Sequence, residues 1–208
     1  MNEYQTIAAD AKAEFIERRS RFIGAVRPVT TQEEALAFIN KKKAEHWNAT
    51  HNVYAFILRE GQLKRYSDDG EPQGTAGVPV LDVLQKEGLV DIAAVVTRYF
   101  GGVLLGAGGL VRAYSHGVKI AVDAAERITM SECSEFELDL GYELYGKIMY
   151  MLPRYFAKTT FSDFGVTVRL HILLKDCYVQ AFLKELADLT AAQVCPQLLD
   201  KRYACIPE

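Results

Sequence analysis

A glycine-rich loop and the helix predicted after it carry the residue types that bind anions. The loop contains five glycines, Gly101, Gly102, Gly106, Gly108 and Gly109. Helix N-termini have unpaired N–H groups and a partial positive charge, so they attract anions and normally disfavour cations. Yet Arg112, His116 and Lys119 share one face of the first turns of this predicted helix. An external anion would neutralise both the helix end and these bases, so the pattern predicts an anion-binding site.

An acidic turn upstream of the loop offers a second source of negative charge, from within the chain. Asp68, Asp69 and Glu71 lie in the sequence SDDGEP. Pairing of these carboxylates with the helix and binding of an external anion are both compatible with the sequence. Clustered carboxylates also suit Mg²⁺, the only cofactor that the sequence suggests, although an Asp-rich turn commonly hydrogen-bonds its own backbone.

Other cations extend the candidate surface. Arg98 ends the apolar strand before the glycine loop, and Lys64 and Arg65 lie in a short strand before the acidic turn. His51 begins another strand, where either a ligand contact or a structural role is compatible with an imidazole that titrates near neutral pH. The candidate nucleic-acid or anion-binding set is therefore His51, Lys64, Arg65, Arg98, the five glycines, Arg112, His116 and Lys119.

No motif for catalysis accompanies these residues. The glycines are not followed by GKS or GKT, as in a P-loop, and they lack the GxGxxG spacing of dinucleotide-binding proteins. Ser115 and Thr75 carry hydroxyl groups, but the sequence alone places no Asp or His partner beside either of them. We therefore assign no catalytic residue.

The composition is that of an ordinary globular protein. The 208 residues are 50% hydrophobic and 25% charged, which suits one large domain or two small ones. A net charge of -3 argues against binding nucleic acid through bulk charge, but it is compatible with a local basic patch. The four cysteines form no CxxC motif, so we expect reduced, mostly buried thiols. Without a signal-peptide pattern or a long apolar run, we expect a cytoplasmic protein without membrane contact.

Alternating strands and helices position the candidate site. Residues 1–14 are predicted to be a loosely held lead-in, and residues 15–29 to contain two strand-like pieces joined by the charged run at 17–21. The periodicity then predicts strands at 22–26, 53–58, 63–66 and 92–97, and helices at 31–45, 80–87 and 110–126. Thr31 and Glu34 have the spacing of a capping box at the start of the first helix. The strands at 53–58 and 92–97 are apolar on both sides, as expected for central strands.

The pattern lapses near residues 129–134, which we interpret as the boundary between domains 1–131 and 132–208. The second domain has the predicted order β-α-β-β-α-β, which is the ferredoxin-like, split βαβ arrangement. The fold class expected for the whole chain is α+β.

The sequence resembles that of the IMPACT family, in particular its bacterial members. The resemblance rests on SDDGEPQGTAGVP, on VVTRYFGGVLLGAGGLVRAYS and on ATHN around His51, and it covers residues 15–126 most strongly. It implies that the first domain resembles domain IV of elongation factor G, a β-α-β unit shared with a small-subunit ribosomal protein. It implies that the ferredoxin-like domain resembles domain V of the same factor. Other members have a lysine at the position of Leu104, which weakens the case for a phosphate contact there.

The resemblance implies a role in translation. Eukaryotic members regulate translation initiation by binding the activator of a stress kinase through an additional N-terminal domain, a partner that we do not expect to carry over. Two adjacent domains like those of a translation factor indicate contact with RNA or the ribosome, by analogy of fold. The family signature establishes no catalytic residue.

Three functional hypotheses follow. The first is a translation-linked regulatory protein that binds RNA or the ribosome without catalysis. The alternative is an enzyme or binder that acts on a small phosphorylated ligand or nucleotide with Mg²⁺, because a class of small-molecule kinases shares the N-terminal topology. The third is a module for a protein partner, which predicts exposed rings at Tyr99, Phe100 and Tyr114.

Overall fold

The computed structural model describes residues 3–207. Residues 1 and 2 of the predicted lead-in, and residue 208 at the end of the predicted second domain, lie outside that range. The chain divides into two compact units. One unit comprises Gln5–Ile128, and the other comprises the chain from Thr129 onward together with the residues before Gln5.

Ten strands and five α-helices alternate along the described chain. The strands are β1 (Glu3–Ile7), β2 (Ala11–Glu17), β3 (Ser20–Pro28), β4 (His51–Ile57), β5 (Lys64–Ser67), β6 (Ile92–Tyr99), β7 (Arg127–Leu140), β8 (Lys158–Phe164), β9 (Val168–Lys175) and β10 (Gln197–Ala204). The helices are α1 (Gln32–Glu45), α2 (Gly77–Lys86), α3 (Ala107–Asp123), α4 (Tyr142–Met151) and α5 (Asp176–Thr190). Short 3-10 turns occur at Glu60–Gln62 and Leu152–Tyr155.

The first unit is built on an antiparallel sheet with the strand order β2-β3-β6-β4-β5. Helices cover both of its faces. Alternate residues of β6, such as Ala94 and Val96, join the core beneath α2 and α3, whereas Ala93 and Val95 join the core beneath α1. The prediction of central strands that are apolar on both sides is therefore confirmed for β4 and β6.

The predicted capping box of α1 is confirmed. The hydroxyl of Thr31 accepts a hydrogen bond from the backbone N–H of Glu34 at 3.2 Å, and the Glu34 carboxylate accepts one from the backbone N–H of Thr31 at 3.3 Å. Hydrogen bonds from the backbone and side chain of Thr30 also lower the pKa of Glu34.

The N-terminal lead-in was predicted wrongly, because its described residues form β1 and the first part of β2, up to Glu14. Burial along β2 alternates between half-buried and exposed positions, since alternate small or apolar residues face α3 across the edge of the sheet. The β2–β3 hairpin turns at Arg18 and Arg19, whose φ angles are 43° and 66°.

Helix α3 begins three residues earlier than predicted, at Ala107. Gly108 and Gly109 belong to its first turn, whereas the sequence suggested that they end a loop. Helix α2 also begins early, at Gly77, and Pro79 is its third residue rather than the residue before its start. These shifts matter for the site because they change which side chains lie at a helix N-terminus.

The second unit has the predicted ferredoxin-like arrangement. Strands β8, β9, β7 and β10 are neighbours in that order, β1 also pairs with β7, and α4 and α5 pack on the sheet. The stretch at 129–134, where the sequence pattern lapses, lies inside the continuous strand β7.

The expectation of mostly buried cysteines is wrong. Cys133 is buried, and burial raises the pKa of its thiol, but Cys177, Cys195 and Cys205 are exposed. Within residues 3–207, every helix is too short or too polar to cross a membrane.

A glycine-to-glycine contact between β3 and α3 generates a stability prediction. A Cβ at Gly24 would lie 2.0 Å from the carbonyl oxygen of Gly117, so the backbones must separate to admit a methyl group. We expect Gly24→Ala to lower the free energy of unfolding by about 3 kcal/mol, the upper end of typical overpacking costs. Gly108→Ala in the same unit is the matched control, because its nearest contact is the flexible end of Arg112. Chemical denaturation that shows equal stability for the two variants would contradict this account.

Candidate functional site

A buried ion pair lies beneath the glycine-rich loop. Arg98 at the end of β6 donates through Nη1 to Oε1 of Glu71 at 2.7 Å, and only 6% and 4% of the two side chains is exposed. The Tyr114 hydroxyl on α3 donates to the same oxygen at 2.7 Å. Burial and this hydrogen bond raise the pKa of Tyr114, so the phenol stays protonated. Arg98 was predicted on the binding surface, but its burial withdraws it from any external anion.

This ion pair also connects the β2–β3 hairpin to the glycine-rich loop. Nη2 of Arg98 lies 3.4 Å from the Ser20 hydroxyl, which also accepts the backbone N–H of Gly101 at 3.2 Å. A Cβ at Gly101 would lie 2.0 Å from the Arg19 carbonyl carbon, so only glycine allows the loop to approach the hairpin. Nε of Arg98 is buried and has no hydrogen-bond partner among residues 3–207.

The carboxylates of the acidic turn bind other donors of the first unit. Asp68 caps α2 by accepting the backbone N–H groups of Gly74, Ala76 and Gly77 at 2.8–3.1 Å. Asp69 accepts from Lys43 and from the backbone N–H of Asn52, each at 2.7 Å. Among the described residues, no group of three or more His, Cys, Asp or Glu side chains is arranged to hold a metal ion.

His51 contacts the acidic turn through a hydrogen bond from its imidazole ring. Its Nδ1 lies 2.8 Å from the backbone carbonyl oxygen of Asp69, so Nδ1 is the donor of that hydrogen bond. Its Nε2 lies 3.8 Å from Oε1 of Glu71. These contacts give His51 a structural role at the acidic turn.

The N-terminus of α3 is open, because the acidic turn does not cap it. The N-cap is Gly106, which has φ 72° and no side chain to accept a hydrogen bond. No side chain in the described part of the chain accepts from the backbone N–H groups of Ala107, Gly108 or Gly109. The loop from Gly102 to Leu104 and the first turn through Gly108 are mostly exposed. Internal pairing at this helix end, one of the two alternatives, therefore does not occur.

Two arginines from different elements lie beside this open helix end. Arg112 is exposed, and its Nη1 lies 3.8 Å from the position that a Cβ of Gly108 would occupy. Arg18 at the hairpin turn and Arg112 line one groove of about 560 Å³. The apolar floor of the groove includes Phe15 and Leu105. Neither arginine forms an ion pair within residues 3–207, so both guanidinium groups are available to a ligand.

His116 completes the groove, whereas Lys119 does not reach it. The imidazole of His116 is exposed and packs edge-on against Phe15, with ring centroids 4.6 Å apart. Lys119 follows Ala107 by twelve residues, or about 3.3 helical turns. It forms ion pairs with Asp123 and, at 3.4 Å, with Glu87. The predicted role of Lys119 at the helix N-terminus is therefore wrong, because α3 begins earlier than the sequence suggested.

Lys64 and Arg65 are also separated from this groove. Both lie on β5, at the edge of the sheet opposite to β2. Sequence reasoning instead missed Arg18 and Arg19 as members of the surface. The charged run from residue 17 to residue 21 was visible, but only the strand pairing places it beside the glycine-rich loop.

The aromatic rings proposed for a protein interface do not form one exposed set. Tyr114 is fully buried, Tyr99 is half-buried against His46, and 46% of Phe100 is exposed. The prediction of three exposed rings is thus wrong for Tyr114.

Comparison with known proteins covers both units. The profile of the Impact N-terminal domain matches residues 18–122, and that of a domain of unknown function, DUF1949, matches residues 138–193. The chain is 50% identical to the IMPACT family member YvyE of Bacillus subtilis over 57% of this chain and 55% of that protein. It is 37% identical to the IMPACT family member YigZ of Escherichia coli over 83% of this chain and 86% of that protein. The crystal structure of a hypothetical protein is similar over 96% of this chain and 98% of its own, with 33% identity and a TM-score of 0.63.

The buried ion pair generates a testable double-mutant cycle. Removing one partner leaves an uncompensated buried charge, so Glu71→Ala and Arg98→Ala should each lower the free energy of unfolding by about 3–5 kcal/mol. The double variant should cost less than the sum, because neither charge is then stranded. Denaturant titrations of the four proteins measure the coupling.

The exposed pair of Arg21 and Glu14 provides the control for this cycle. Removing Glu14 should cost no more than about 1 kcal/mol, as for other surface ion pairs. Additive effects of Glu71→Ala and Arg98→Ala would contradict the proposed coupling.

Proposed function

The chain belongs to the IMPACT family, and from that premise we propose that it is a translation-linked regulatory protein of the cytoplasm that binds RNA, including the RNA of the ribosome. The observation that carries the proposal is the open N-terminus of α3, with Arg18 and Arg112 beside it, neither of which forms an ion pair within residues 3–207. We define the binding surface as Gly102, Gly106, Gly108, Arg112, His116 and Arg18.

The chemistry of this surface fits a phosphate group. Free backbone N–H groups at a helix end favour an anion, and guanidinium groups donate in a geometry that matches phosphate oxygens. The chain carries a net charge of -3, so bulk charge would repel RNA and the attraction has to be local. Arg112 on α3 and Arg18 at the hairpin turn could each contact one of two neighbouring phosphates of an RNA strand.

The proposal assigns binding rather than catalysis to this surface. The carboxylates of the acidic turn are hydrogen-bonded to backbone groups, Lys43, Arg98 and Tyr114. The candidate hydroxyl of Thr75 donates to the backbone carbonyl of Pro72 at 2.6 Å. These contacts give the carboxylates and the hydroxyl structural roles, and the proposal requires neither Mg²⁺ nor another cofactor.

The link to translation rests on the resemblance to adjacent domains of elongation factor G that family membership implies, which is an argument by analogy of fold. The helix-covered sheet of the first unit precedes the ferredoxin-like unit along the chain. The exposed α3 surface supports an RNA contact independently of that analogy, because it rests on charge and geometry alone.

The binding surface generates a salt-dependence prediction. Arg112→Ala and Arg18→Ala should each weaken binding of the full chain to RNA and to purified ribosomes by about tenfold, the value of one charged hydrogen bond. Each should also reduce the slope of log affinity against log salt by about 0.7, because one phosphate contact is lost. Fluorescence anisotropy and ribosome sedimentation at several salt concentrations measure both effects.

Lys64→Ala is the matched control, because it removes an exposed cation from the distant edge strand β5. It should leave affinity and slope unchanged. Binding that does not depend on salt, or that depends on Lys64 as strongly as on Arg112, would rule out this surface as the RNA contact.

A further inference from the structure

Trp47, the only tryptophan of the chain, has 82% of its surface exposed. It lies in the turn between α1 and β4, at the sequence His46-Trp47-Asn48. Tryptophan carries one of the largest apolar surfaces of any side chain, and it usually packs against other residues. A ring left in solvent to this extent is consistent with a surface that a ligand covers.

The turn that carries Trp47 is fixed by hydrogen bonds. The backbone carbonyl oxygen of His46 accepts the backbone N–H of Ala49 at 2.9 Å and the side-chain amide of Asn52 at 3.4 Å. Nδ1 of His46 is hydrogen-bonded to the Tyr99 hydroxyl at 2.9 Å. The backbone that carries the exposed ring is therefore held in place, which lowers the entropic cost of stacking a planar ligand on the ring.

A groove lined by charged side chains of both signs begins next to this turn. It is lined by Lys12, Arg21, Lys42 and His46 and by the carboxylates Glu14 and Glu45, and its volume is about 390 Å³. Arg21 and Lys42 bond to Glu14 and Glu45, whereas Lys12 forms no ion pair within the described residues.

His46 lies among charges of both signs. Burial, followed by the positive charge of Lys42, lowers the pKa of His46, whereas Glu45 raises it and Arg21 and Lys12 lower it further. The lowered pKa favours the neutral imidazole at physiological pH.

This groove and the α3 surface lie on opposite faces of the sheet, near the end where the β2–β3 hairpin turns. Arg21 of β3 pairs with Tyr99 of β6, and the hairpin turn with Arg18 and Arg19 immediately precedes β3. Phe100, which is 46% exposed, is tied to the segment after Trp47 because its backbone N–H donates to Thr50 at 3.0 Å. We group the exposed rings of Trp47 and Phe100 with the cations Lys12, Arg18 and Arg19 as one proposed band, which a bound strand would follow around the hairpin turn.

We infer that the ligand is single-stranded RNA, with an unpaired base stacked on Trp47 and the phosphates following the cations from Lys12 to Arg18. This inference rests on the proposed function and makes it more specific. Aromatic rings combined with a positive groove are the usual means of binding single strands, whereas a duplex keeps its base faces stacked inside. A protein partner is less favoured, because the sequence neighbours of Trp47 are polar and a protein interface needs a broader apolar centre.

The single tryptophan makes the inference directly measurable. A short oligouridine strand should quench the fluorescence of the full chain, because Trp47 is its only tryptophan. Trp47→Ala should weaken binding of this strand about tenfold, within the range reported for one stacked base, and Trp47→Phe should retain most of the affinity. Binding of the same strand annealed to oligoadenine should be unaffected by either substitution. The ring is exposed, so these variants are expected to fold normally.

The outcomes distinguish this inference from the proposed function. Loss of single-strand binding in Trp47→Ala, with duplex binding retained, supports the inference. If Trp47→Ala binds oligouridine as tightly as the unmodified chain while Arg112→Ala does not, the stacking contact is refuted and the proposed function stands. If Trp47→Ala binds ribosomes weakly but oligouridine normally, Trp47 contacts a protein and the inference is overturned. If the unmodified chain binds neither RNA nor ribosomes, both fail.

Discussion

The arrangement of the first unit depends on the buried contact between Glu71 and Arg98. It brings together the acidic turn, the end of β6 and, through Tyr114, the middle of α3. Taking two charges out of water is costly, and the cost is offset only when good hydrogen bonds satisfy them. Here one carboxylate oxygen accepts hydrogen bonds from both a guanidinium and a phenol, and the same guanidinium contacts Ser20 in the hairpin. The ion pair therefore fixes the positions of the acidic turn, the β2–β3 hairpin and the glycine-rich loop.

A consequence of this pairing is that the acidic residues are kept away from the N-terminus of α3. Asp68 accepts hydrogen bonds from backbone N–H groups at the start of α2, and Asp69 accepts one from the start of β4. Both carboxylates are therefore hydrogen-bonded within the fold. Among residues 3–207, no side chain caps the positive end of α3 and Arg112 forms no ion pair, although Glu17 lines the same groove. A helix end of this kind is stabilised by an anion from solution. Because the carboxylates of the acidic turn pair within the fold, the N-terminus of α3 is left open to an external anion.

Local and apolar patterns could be predicted from the sequence, whereas long-range pairings could not. The capping box at Thr31 needs only residues three apart, and β6 is marked by its continuous apolar run. Only the end of the edge strand β2 was predicted, as a strand-like piece at residue 15, because its apolar signal alternates with charge in a short segment. The start of α3 was missed because two glycines disfavour a helix unless the surrounding structure supports them. Arg98 and Glu71 are 27 residues apart in the sequence, and the sheet brings them together. The sequence therefore suggested two separate surface charges, whereas the fold contains one buried ion pair.

The proposed band of rings and cations suits a chain that carries net negative charge. At physiological ionic strength the Debye length is about 8 Å, so distant carboxylates are largely screened and near contacts decide whether RNA binds. Arginine–phosphate contacts weaken as salt rises, because the displaced counterions are then more concentrated. Stacking on Trp47 does not depend on counterions and would supply affinity that salt does not remove. A surface that combines both would discriminate by strandedness through the ring, while Arg18 and Arg112 set the position of the backbone.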